Sequence, residues 1–315
     1  MRKLFWATIG VALISMVFAG CKKETTYTVR VTATEGGTVE GPNGEYKEGE
    51  TVEFKAIPAD GCVFMGWSDG STDNPRTVTI GSENISLTAL FFAPTVDLGL
   101  ESGTLWATRN LGATVPWNYG DYYAWGETQT KDVYSWETYK YCKGSEETLT
   151  KYCNKADYGN NGFTDALTTL EAADDAATAA FGEGWAMPTN AEWEELYSQC
   201  YWVWTENYNN RNARGYIVYK AKSAGDKGTK VYSDGTPSAS YSLTDAHIFL
   251  PAAGCRYDTN LNYAGSYGNY WSASLGEDGP HGVRGCDFYS SGVGSLDYGY
   301  GSRYIGFSIR PVKRP

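Results

Sequence analysis

The sequence predicts an α+β chain: an all-β stretch first, then a longer body in which two short helices precede a series of strands. Three observations predict it. From Tyr27 to Phe91 apolar and polar residues alternate with period two, and no helical period intervenes. Two segments, around 173–181 and 189–200, carry apolar residues at helical spacing. Beyond them, short aromatic and β-branched runs are separated by glycine-rich loops. The composition agrees, since 25 Tyr, 11 Trp, 11 Phe and 37 Gly in 315 residues favour pleated surfaces and turns.

The chain begins with Arg2 and Lys3, an apolar run from Leu4 to Phe18, and then Ala19-Gly20-Cys21. A positive start, an apolar core and small residues at the cut make a secretory signal over 1–20. The run falls short of the roughly 20 apolar residues a spanning helix needs. With cysteine at the first mature position, the signal resembles the lipobox of bacterial lipoproteins, although Phe18 stands where leucine is commoner. That resemblance implies diacylation of Cys21 and a lipid bilayer as partner. Each buried acyl methylene contributes roughly 0.8 kcal/mol, so two chains anchor stably. Residues 21–26 are then a lipidated tether, and the expected location is the cell envelope, at the outer membrane and facing outward.

Tyr27, Val29, Val31 and Ala33 fall on one face of the first strand. Val52, Phe54 and Ala56 alternate in the same way. Val63 to Trp67, Val78 with Ile80, and Ile85 to Phe91 complete roughly five strands. Pro94 ends the pattern, so the first domain spans 27–93. Tyr27-Thr28-Val29, Gly36-Gly37-Thr38-Val39, Gly49-Glu50-Thr51-Val52 and Gly61-Cys62-Val63-Phe64-x-Gly66-Trp67 resemble one copy of the bacterial repeat related to the internalin B-repeat. The resemblance implies a small β-grasp-like module that acts as a spacer.

In the second domain, 95–315, Ala173, Ala176, Ala177, Ala180 and Phe181 recur at helical spacing, with Asp174 and Asp175 at the start and Gly182 at the stop. Pro188-Thr189-Asn190-Ala191-Glu192 reads as a capping box, after which Trp193, Leu196, Tyr197 and Cys200 share one face. Tyr216–Tyr219, Ile248–Leu250, Tyr270–Ala273 and Phe307–Arg310 read as strands.

Asp97-Leu98-Gly99-Leu100, Tyr123-Ala124-Trp125-Gly126-Glu127, Gly184-Trp185-Ala186-Met187-Pro188-Thr189, Leu250-Pro251-Ala252-Ala253-Gly254, Tyr270-Trp271-Ser272-Ala273-Ser274 and Gly306-Phe307-Ser308-Ile309-Arg310 occur in that order. Together they resemble the Fibrobacter succinogenes major paralogous domain. Ala186 stands where arginine is usual. The family is similar to the C-type-lectin-like superfamily, which implies two short helices on a twisted, mostly antiparallel sheet with long loops on one side. No general activity accompanies the family, so function rests on a site.

The formal charge of −11 argues against nucleic acid as a partner. Of seven cysteines, Cys142 and Cys153 are near enough in sequence to suggest a disulfide, whereas Cys62, Cys200, Cys255 and Cys286 read as buried free thiols. The stretch from Tyr257 to Tyr304 is rich in Tyr, Gly, Asn and Ser, the composition of a recognition surface. Tyr257, Tyr263, Tyr267, Tyr298, Tyr300 and Tyr304 flank glycines or small polar residues and are the expected ligand contacts, for a glycan or a protein. No catalytic residue and no metal site is expected. Calcium is left open by the oxygen donors of Asp69 to Asp73 and 157–161, which serve equally as turns. His247 is expected to be structural and His281 solvated. Met187-Pro188-Thr189 and the chain's ending also resemble formylglycine-generating sulfatase modifiers, but their closely spaced copper-binding cysteine pair is missing, because Cys286 stands alone. A structural envelope lipoprotein without soluble ligand is the other alternative to a non-enzymatic adhesion module.

Overall fold

The structure is a computed structural model that describes residues 25–34, 36–59, 62–238, 240–276, 279–293 and 301–315. The expected signal peptide and Cys21 lie outside them. The chain is mostly β, with several sheets and few helices, and it divides into two compact units.

The N-terminal segment up to Pro94 contains β1 (Thr26–Ala33), β2 (Gly37–Glu40), β3 (Gly44–Lys47), β4 (Thr51–Pro58), β5 (Val63–Trp67), β6 (Arg76–Thr79) and β7 (Ile85–Phe92). β1 lies between β3, antiparallel, and β7, parallel, and β5 is the far edge of that sheet. β4 sits between β2 and β6 in a second sheet. The alternation holds in detail: Val29, Val31, Val52, Phe54 and Ala56 are buried, while Thr28, Arg30, Thr51, Glu53 and Lys55 are exposed. Ala33 departs from it, being exposed at the strand's end. More strands form than the pattern suggested, because β2 and β3 are four residues long and carry no apolar run. Trp67 fills the core, its indole nitrogen donating to the Asp73 carbonyl at 2.8 Å and its ring meeting Phe54 edge-on at 6.4 Å. Gly66 precedes it at φ +124°, where a side chain's Cβ would lie 2.8 Å from the Ser71 carbonyl oxygen.

In the second unit, β8 (Thr95–Val96), β9 (Leu105–Ala107), β10 (Trp185–Ala186) and β21 (Val312–Lys313) form a sheet in the order β10-β21-β9-β8. It joins the domain's first residues to its last, with Trp106 opposite Val312. A second sheet runs β13-β11-β12-β14, from β11 (Cys200–Thr205), β12 (Gly215–Lys220), β13 (Lys230–Val231) and β14 (His247–Pro251). β15 (Cys255–Tyr257) and β16 (Asn260–Asn262) make a hairpin. β17 (Tyr267–Leu275) and β18 (Gly282–Tyr289) form a long antiparallel pair, with β19 (Gly292–Val293) and β20 (Gly301–Ser302) on β18. Among the ladders described in this unit, only β11 with β13 is parallel.

The two helices form where the caps place them. In α1 (Ala176–Phe181) the Asp175 carboxylate accepts from the amides of Ala177 and Thr178, and Gly182 at φ +83° ends the helix. It starts after Ala173, because 172–174 make a separate 3-10 turn. In α2 (Asn190–Gln199) the Thr189 hydroxyl accepts from the Glu192 amide, while the Glu192 carboxylate accepts from the Thr189 amide at 2.7 Å. Trp193 and Leu196 are fully buried as expected. Cys200 is buried too, but as the first residue of β11. Phe307–Arg310 is not a regular strand. It is wedged between partners, with Phe307 bridging to Tyr123 and Ser308 to Tyr270.

Two buried charges tie the domain together. Arg310 is fully buried without a carboxylate partner among the described residues: Nε and Nη2 donate to Asn110 Oδ1 at 2.9 and 2.7 Å, Nη1 to the Ala107 carbonyl at 3.0 Å, and Nη2 to the Phe249 carbonyl at 2.6 Å. Burial draws its pKa down to about 10. Asp174 is buried among Lys151 at 2.6 Å, the Tyr152 hydroxyl at 2.8 Å and the Tyr141 hydroxyl. Burial alone would raise its pKa, but these donors outweigh it and hold the carboxyl at about 2.

Candidate binding surface

The aromatic surface of the second domain is built by a tight reversal. At Gly254, φ is +66°, and a Cβ would lie 2.1 Å from the Asn262 carbonyl oxygen, so the β15–β16 hairpin folds back against it. Tyr263 follows in the left-handed region at φ +60°, and its carbonyl accepts from the amides of Ser266 and Tyr267, each at 3.0 Å. This turn carries the Tyr263 ring outward, 65% exposed. Tyr267 opens β17 directly opposite Tyr289 of β18. The three rings form a row, with centroids 5.4 Å apart for Tyr263 and Tyr267 and 5.5 Å for Tyr267 and Tyr289. Tyr267 and Tyr289 are 41% and 40% exposed.

Polar groups lie beside the row. A cleft of about 170 Å³ is lined by Tyr267, Tyr289, Trp204, Glu206 and Arg214. The Glu206 carboxylate accepts from the Trp204 indole at 2.6 Å and from Arg214 Nε at 2.7 Å, which fixes its position while both charges stay more than half exposed. A larger groove of about 630 Å³ lies between the loop 112–122 and the loop 211–213, with Leu261 of β16 on its edge. Tyr119 of that groove reaches the turn after Tyr263, where a Cβ on Gly265 would lie 3.7 Å from its hydroxyl.

The structure divides the tyrosines predicted from the sequence. Tyr263 and Tyr267 stand in the row. Tyr257 is exposed elsewhere, at 5.8 Å from Tyr304, which also packs on Trp136 at 4.9 Å. Tyr304 is half-buried, contrary to the expected exposure, and burial together with its hydrogen bond to Tyr257 pushes its phenol up to about 12. Tyr298 and Tyr300 lie outside the described residues. Tyr289, Glu206, Arg214 and Trp204 were not singled out from the sequence. Their signal is long-range, since Trp204, Glu206 and Arg214 belong to the β11–β12 hairpin whereas Tyr289 ends β18 in another sheet.

The disulfide expected between Cys142 and Cys153 is not formed. Each thiol is buried and donates to a different carbonyl, that of Trp136 at 3.0 Å and that of Lys155 at 3.1 Å. Burial raises both pKa values and that of Cys286, which is fully enclosed. His247 is held by the Tyr208 hydroxyl at 2.9 Å and the Asp245 carbonyl at 2.8 Å. His281, expected to be solvated, is half-buried and stacks on Tyr158 at 4.7 Å. Among the described residues no three His, Cys, Asp or Glu side chains gather as metal ligands. Asp69, a candidate oxygen donor, is instead paired with Arg76 at 2.5 and 2.6 Å.

Comparison with known families bears on the N-terminal unit. Residues 27–94 match a divergent InlB B-repeat domain. This repeat domain covers the alternating segment and ends beside Pro94, and its glycine before tryptophan is the Gly66-Trp67 pair whose geometry is described above. No curated protein and no solved structure matches the chain.

Proposed function

We propose that the protein is a lipid-anchored surface binder. In this reading Cys21 is acylated, the repeat domain is a spacer, and the C-terminal domain is a C-type-lectin-like head of the Fibrobacter succinogenes major paralogous type that holds a glycan. The observation that carries it is the exposed row Tyr263, Tyr267 and Tyr289 beside the fixed Glu206–Arg214 pair. Flat rings with few rotors present apolar faces at low entropic cost, and a carboxylate and guanidinium in the adjoining cleft supply acceptors and donors for hydroxyl groups. Turnover is not part of the reading. The enclosed, protonated Cys286 thiol supports contact over copper-dependent thiol chemistry.

The test is a binding screen of the full chain against printed glycans and surface proteins. Glycan binding that falls at least about tenfold in a Tyr267→Ala/Tyr289→Ala double variant, with unchanged melting temperature, is the expected result. Binding to proteins alone, or glycan binding indifferent to those two rings, would overturn it.

A further inference from the structure

The larger groove adds a charge to this surface. Arg211 lines it, and its guanidinium lies over the Trp117 ring at 5.1 Å from the centroid. No acidic side chain among the described residues is hydrogen-bonded or ion-paired to it, unlike the neighbouring Arg214, which is engaged by Glu206. Stacking on an indole restricts the long side chain while leaving the in-plane N–H edge free to donate. Asp121, the one carboxylate among the groove's lining residues, is engaged by the Tyr123 phenol.

The backbone beneath Arg211 is unusual. Asn209, Asn210 and Asn212 all hold positive φ, at 48°, 58° and 53°, and the Asn207 side chain fixes the turn by accepting from the Asn212 amide at 2.7 Å. A side chain held over an aromatic face by a loop of this kind is pre-organised, so little freedom is lost when a ligand arrives. The protein's overall negative charge does not oppose a local anion site strongly, since fields from distant exposed charges are screened beyond about 8 Å at physiological salt.

We infer that this groove is an anion subsite, in which Arg211, oriented by Trp117, receives the carboxylate of an acidic sugar unit. The inference rests on the glycan reading above and names the ligand class: a uronate-containing chain, with its neutral units on the tyrosine row. Leu261 and the turn through Tyr263 to Gly265 join the groove to that row, so one oligosaccharide can reach both.

The experiment compares acidic oligosaccharides, namely oligogalacturonate and hyaluronan hexamers, with their methyl esters, which keep the shape and lose the charge. Calorimetry on the full chain is expected to give at least roughly tenfold tighter binding of one acid form than of its ester. Arg211→Gln, at an exposed position, is expected to abolish that difference while ester binding stays the same. Equal affinity for acid and ester, or a difference that survives in Arg211→Gln, overturns the inference and leaves the glycan reading standing. Failure of every acidic probe while neutral glycans bind overturns it as well. Failure of all glycans, acidic and neutral, removes both.

Discussion

Asp174 and Arg310 show how single buried charges are kept in this protein. Asp174 is ionised at neutral pH because Lys151 and two phenols surround it, and its carboxyl is held at about 2. A depressed folded pKa stabilises above the ordinary aspartate range, and that contribution is lost as pH falls from about 4 toward 2. Asp174→Asn is therefore expected to cost about 3 kcal/mol at neutral pH. The variant should also show a flatter stability profile between those two pH values than the parent, which urea titrations across pH would measure. Arg310 offers a different case, since its charge is met by neutral groups, an amide, two carbonyls and the Tyr270 phenol. Arg310→Lys keeps the charge but cannot reach three partners at once, and leaving carbonyls unpaired is expected to cost about 2 kcal/mol or more. A thermal melt would detect it, and an unchanged melting temperature would contradict this account.

At the scale of elements, local chemistry decides starts and stops, and pairing decides the rest. The capping box of α2 was legible because Thr189 and Glu192 stand three apart just before an apolar face. Thr189→Ala is expected to lower stability by about 1 kcal/mol, read from the shift of a urea midpoint at constant slope. The strands of the repeat domain that carry apolar residues, such as β1 and β4, were legible for the same kind of reason, since a two-residue period is short-range. β18 was not, because Val283, Cys286, Phe288 and Tyr289 do not alternate regularly with Arg284 and Asp287, and the strand is defined by its partners β17, β19 and β20. Phe307–Arg310 erred the other way. Its residues look like a strand, yet the chain there contacts Tyr123 on one side and Tyr270 on the other without a continuous ladder.

At the scale of the whole molecule, the sequence revealed which region is rich in tyrosine but not how its rings are distributed. Composition could not separate Tyr263, which a left-handed turn throws outward, from Tyr304, which Trp136 covers. Nor could it bring Glu206 and Arg214 beside Tyr289, because that depends on two sheets folding next to each other. Anchoring is tested at this scale too. Cys21→Ser is expected to abolish palmitate labelling and move the protein from the membrane to the soluble fraction. A variant that still sediments with membranes would refute lipid attachment through that thiol.

The parallel pairing of β1 with β7 has a mechanical corollary. Val29 to Ala33 run alongside Ile85 to Ala89 in the same direction, and these are the first and last strands of the repeat. Tension applied through the two ends of that module would drag the pair in opposite senses along their common axis. Their hydrogen bonds would then be loaded together in shear, not opened one by one as in a zipper. Such a unit should yield only at high force in single-molecule extension, a useful trait in any segment that must hold a binding head against flow.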